Sequence, residues 1–171
     1  MWSWLQMDAV LLDNLMVFFA FVFYAFLFIV YILRARELSR LEWKLRIAFS
    51  VQLIPFASLW VLNLVVGNDS GRLLTGLPII IYLAYDLWYR LLTKKKPYHH
   101  PKRWPPGLVV YLLLLLIGSI GLNWYGYLMS KFYGSMLVVT FFIMTTSFGY
   151  YQYRYNKRKK AEESQKQQAT G

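Results

Sequence analysis

The chain has 171 residues, no cysteine, a formal net charge of +11, and a composition that is 58% hydrophobic and 19% aromatic. A soluble domain is about 45–50% apolar; here the excess falls in uncharged blocks, which points to one membrane domain without a soluble one. The missing cysteine excludes disulfides, thiolate metal sites and cysteine nucleophiles.

The leader 1–14 carries Asp8 and Asp13 and no Lys or Arg, whereas a cleaved signal peptide begins with positive charge. The first span is therefore expected to be retained, with Trp2 and Trp4 ahead of it at the interface. A helix needs about 20 mainly apolar residues to cross a hydrocarbon core about 30 Å thick. The first such block covers 15–33 and stops at Arg34 and Arg36.

Beyond it, Leu38, Leu41 and Leu45 share one helical face and Arg36, Arg40 and Lys44 another, the pattern of a short amphipathic connection on the membrane surface or of an ordinary helix-to-helix turn. The second block, 47–66, contains Gln52, Pro55 and Asn63. Gln52 and Asn63 lie three turns apart and share a face, so this polar face is expected to point into a helix bundle. Pro55 lacks an N–H and is expected to kink the helix.

A turn follows, in which Asn68, Asp69 and Ser70 match a glycosylation sequon; we read this as a chance match. The third block, 73–89, contains Asp86, the one carboxylate inside a predicted span. An acid at membrane depth is a functional candidate, while Arg90, one turn on, offers it a structural ion pair. The loop 90–106 clusters Lys94, Lys95, Lys96, Lys102 and Arg103 among four prolines and holds both histidines, His99 and His100. It reads as an extended, semi-rigid segment against anionic lipid headgroups or a partner protein.

The fourth block, 107–124, passes Gly118, Ser119 and Gly121, where a neighbouring backbone can approach closely. The fifth, 132–151, leads through several tyrosines into a basic and polar tail at 156–171, expected to be disordered.

Seventeen of the nineteen Lys and Arg fall in three clusters, 34–46, 90–103 and 154–166, with Arg72 and Lys131 alone on the alternate side. The positive-inside rule then places the N-terminus outside and the C-terminus in the cytoplasm. The expected fold is all-α: an integral membrane bundle of five transmembrane helices over 1–155, multi-pass in the cell membrane. Topology accounts for the basic charge, so no nucleic-acid partner is invoked.

Two histidines and one spanning acid fall short of the three or four ligands of a metal site, and no metal or other cofactor is expected. Phosphate-cradling and nucleophile-elbow motifs are missing from the chain. The leading expectation is a non-catalytic accessory or scaffolding subunit of a membrane complex. One alternative is an enzyme acting on a lipid or polyprenyl-phosphate at the cytoplasmic interface, with Asp86, Arg90, His99 and His100 as its candidate catalytic groups. A second alternative is a small-solute transporter or oligomeric channel using the polar face of Gln52 and Asn63.

Overall fold

The computed structural model describes residues 2–93 and 106–170. All of its regular elements are helices: α1 (Trp2–Ala35), α2 (Ser39–Val51), α3 (Leu53–Val66), α4 (Ser70–Thr93), α5 (Pro106–Met129) and α6 (Lys131–Thr170). Four segments among the described residues are long and apolar enough to cross a membrane: Ala9–Ala35, Arg40–Val66, Val109–Met129 and Lys131–Gln165. The fifth long helix, α4, is 24 residues long but less apolar, since Arg72, Tyr82, Tyr85, Asp86 and Tyr89 interrupt its Leu and Ile.

The helices close into a ring in which α1 packs on α3 and α6, α4 bridges α3 and α5, and α5 returns to α6. Each buries one stripe at three- and four-residue spacing, as a helix with a single inward face must. On α1 the stripe runs through Met16, Ala20, Phe23, Tyr24, Leu27 and Tyr31. Phe23 is its aromatic centre, with ring centroids 5.3 Å from Phe49 and 6.0 Å from Tyr82. Facing it, α5 presents Tyr111, Leu115, Leu122 and Tyr125. The opposite flanks stay exposed and apolar, with Leu62, Val65, Ile120, Phe142 and Ile143 among them, the distribution expected of helices solvated by lipid.

Glycines set the closest approach. A Cβ at Gly118 would sit 3.2 Å from the Ile79 Cα, and one at Gly121 would strike the Thr75 carbonyl oxygen. The α4 and α5 backbones thus touch where small residues allow it.

Three expectations change. The segment after Arg36 is longer than a short connection: after a turn at 36–38, α2 runs from Ser39 to Val51, and a single break at Gln52 leads into α3. That break precedes Pro55 because the proline ring withholds an N–H from the Val51 carbonyl and crowds it. The first helix begins at Trp2 rather than near residue 15, and its apolar portion starts at Ala9. Finally, the tail expected to be disordered continues α6 as helix to Thr170. Arg158 anchors this extension by donating to the Ala35 carbonyl at 2.6 Å and pairing with Glu37. Lys159 and Glu163 add an i,i+4 pair.

The basic residues are sorted by end. Arg34, Arg36, Arg40 and the 154–160 run gather at the end where α1 stops, while Arg72 and Lys131 start α4 and α6 at the other. From Asp13 to Arg34 along α1 is about 31 Å, close to the thickness of a bilayer core.

Candidate functional site

The most completely built polar cluster lies at the end where α1 begins and α4 starts. Asp13, 2% exposed, projects inward one turn before Met16 on the buried stripe of α1. A carboxylate there is costly unless its oxygens are bonded and its charge is met, and three other segments supply this. Arg72, in the first turn of α4, pairs with Oδ2. The Tyr125 hydroxyl of α5 donates to Oδ1, and the Asn68 amide donates to the same oxygen at 2.9 Å.

The turn between α3 and α4 is shaped to deliver these donors. Gly67 ends α3 in the left-handed region at φ 76°, and the Asn68 N–H returns to the Asn63 carbonyl at 3.0 Å, a glycine-terminated helix end that places the next side chain back against the bundle. Asn68 also donates to Asn63 Oδ1 at 2.7 Å, and Asn63 in turn donates to the Leu59 carbonyl at 2.9 Å. Both Asn68 amide protons are therefore engaged, which agrees with reading its sequon as a chance match. Trp60 closes the same turn by donating to the Leu73 carbonyl at 2.8 Å.

Asp13 is a correction to the sequence reading. Asp86 is not the one carboxylate inside a span, because Asp13 falls within the apolar portion of α1. Two signals pointed to it: Asp13, Met16, Ala20 and Tyr24 keep helical spacing, and Arg72 stands alone away from the basic clusters, where a counter-ion explains it better than topology does.

A second cluster lies toward the opposite end. Asp86 is 1% exposed, and its Oδ2 accepts from Ser50 of α2 across 3.4 Å, a long bond. The backbone of Arg90 follows one turn later on α4; its side chain, and all of Lys94, Lys95, Lys96, His99, His100, Lys102 and Arg103, lie outside the described residues. Nearby, Arg34 donates to Glu42 at 2.7 Å and lies over the Tyr31 ring, 5.5 Å from its centroid.

Gln52 and Asn63 are both buried, but near opposite ends of α3, at its N-cap and in its last turn, and in different surroundings. Asn63 belongs to the Asp13 cluster. Gln52, 5% exposed, has neither amide atom bonded among the described residues.

Between the two clusters, hydroxyls join helices in pairs. The Tyr24 hydroxyl lies 3.0 Å from both the Ser119 carbonyl and Asn123 Oδ1, and the Tyr82 and Tyr111 hydroxyls are 2.6 Å apart. Among the described residues no three His, Asp or Glu side chains converge as metal ligands. Chemically, this arrangement holds helices to one another. No family model matches the chain, and no curated protein or solved structure is similar to it.

Proposed function

We propose that the chain is a five-span integral protein of the cell membrane, N-terminus outside and C-terminus cytoplasmic, acting as a non-catalytic accessory or scaffolding subunit of a membrane complex. The observation that supports this reading is the engagement of Asp13 on both oxygens: a buried acid bonded by Arg72, Asn68 and Tyr125 from three other segments serves as an inter-helix clamp. Sorting of the basic residues by end supports the orientation, because Lys and Arg concentrate on the cytoplasmic side.

The working surface is the cytoplasmic one. At about 1.5 Å per residue, residues 152–170 carry α6 nearly 30 Å past its expected span as a helical arm. The arm and the basic loop 90–106 together present Lys and Arg to anionic headgroups or to an acidic face of a partner subunit. Asp86, nearly inaccessible and facing Ser50 of α2, fits a helix clamp better than a catalytic acid at headgroup level, which must meet its substrate.

Replacing Lys94, Lys95 and Lys96 together with Glu tests the proposal. Co-purification of partner subunits in mild detergent is expected to drop by tenfold or more while the protein inserts and melts as before. Unchanged association would remove the docking role.

A further inference from the structure

We infer that the seam between α5 and α6 holds one hydrocarbon chain of an anionic phospholipid from the leaflet at the Arg34 end. This rests on the membrane reading above and extends it to a bound ligand. A crevice of about 160 Å³ opens there, lined by Tyr31, Leu112, Leu116, Ser119, Phe141 and Phe148, among others. Its walls run from Leu112 to Ser119 on α5 and from Phe141 to Phe148 on α6, so it extends about 10 Å along the helix axes. A lipid tail lies in that direction too.

The lining decides the occupant. Ser119 Oγ is fully buried and has no hydrogen-bond partner among the described residues; it is closed off from the crevice, which leaves an apolar surface. A dry cavity of about 150 Å³ with such walls excludes water and takes an apolar molecule the size of benzene. The mouth lies between Leu116 and Thr145, both exposed on the outer flank of the bundle, where hydrocarbon is the surrounding medium. A segment of acyl chain is what can enter from there.

The head group follows from the rim. The crevice ends at Tyr31 and Phe148; one turn beyond Tyr31 lies Arg34, whose charge is met by Glu42, and the exposed Arg36 and Arg154 at the same end supply the free positive charge among the described residues. A phosphate there meets positive charge, which favours a lipid with net negative charge over a zwitterionic one.

The test uses the full chain in nanodiscs with phosphatidylglycerol carrying a diazirine in its acyl chain. Crosslinks are expected within 112–119 and 141–148, and unlabelled phosphatidylglycerol should compete at least several-fold better than phosphatidylcholine. Thr145→Trp and Leu116→Trp, both at exposed positions, should plug the mouth and lower the yield about tenfold. Val139→Trp, exposed on α6 outside the lining, should leave it unchanged. Equal yields in wild type and both plugged variants would overturn the site, and equal competition by the two lipids would overturn the anionic assignment. Carbonate washing of membranes separates the two readings: protein washed out defeats both, whereas protein retained with unaltered crosslinking defeats the crevice alone.

Discussion

Burying the Asp13 carboxyl costs little only while its partners remain. In Asp13→Asn the Arg72 guanidinium keeps its position and loses its counter-ion. The Arg72 side chain is 29% exposed, so the expected loss is about 2–3 kcal/mol, below the 3–5 kcal/mol typical of a fully buried pair. Tyr125→Phe removes one bond to a charged acceptor and is expected to cost about 1.5–2 kcal/mol. Thermal or denaturant unfolding in detergent of Asp13→Asn, Arg72→Gln and the double variant should give a double-variant loss well below the sum; additive losses would mean the pair does not act as a clamp. Gln52 predicts the opposite sign. With neither amide atom bonded among the described residues, Gln52→Leu relieves a desolvation cost and should raise the unfolding midpoint, by about 1–3 kcal/mol in stability. A lower midpoint would show that the amide is bonded in the membrane.

At the scale of the element, the same substitution should have opposite effects on two helices. Gly→Ala within a helix ordinarily gains about 0.5–1 kcal/mol by restricting the unfolded chain. Gly149 has nothing within 4 Å of an added Cβ, and Gly149→Ala should show that gain. Gly121 packs against the Thr75 carbonyl, a backbone atom that cannot rotate aside, so Gly121→Ala should instead cost about 1–3 kcal/mol by forcing α4 from α5. Melting the two variants side by side checks both signs; a stabilising Gly121→Ala would contradict the contact. Pro55 is expected to kink its helix; the structure shows an interruption of the helix at Gln52, in the turn that loses the hydrogen bond proline cannot donate. The end of α6 was the harder case: composition alone assigns 156–171 to disorder, whereas Arg158 bonded to Ala35 and Glu37 gives the helix a tertiary reason to continue.

For the molecule as a whole, the absence of native cysteine makes topology directly measurable. Ser70→Cys and Lys131→Cys are expected to react with a membrane-impermeant maleimide on intact cells, and Arg36→Cys and Lys160→Cys only after permeabilisation. The reverse pattern would invert the orientation. Labelling of positions 36 and 70 from the same side would mean that the α2–α3 segment does not cross, which would end the five-span reading. This experiment also bears on α4, whose apolarity is lower than that of the other four segments because its inward face carries the hydroxyls and the acid that join it to α2 and α5.

Hydropathy and charge order are properties of the chain read locally, so the sequence by itself determined the all-helical class, the apolar segments and the sorting of basic residues between ends. It also marked Gly118 and Gly121 as points of close approach, since a side chain of one hydrogen has few other uses inside a bundle. It did not reveal the Asp13 clamp. Asp13 and Tyr125 are 112 positions apart, and although helical spacing and the isolated Arg72 hint at a buried acid, no local pattern names the distant partners that bond it. Only the tertiary structure decided that Asp13, Asn68, Arg72 and Tyr125 form one site, that Gln52 and Asn63 belong to different surroundings, and that a crevice opens between α5 and α6. Each depends on which helix faces which, a matter settled by packing rather than by composition.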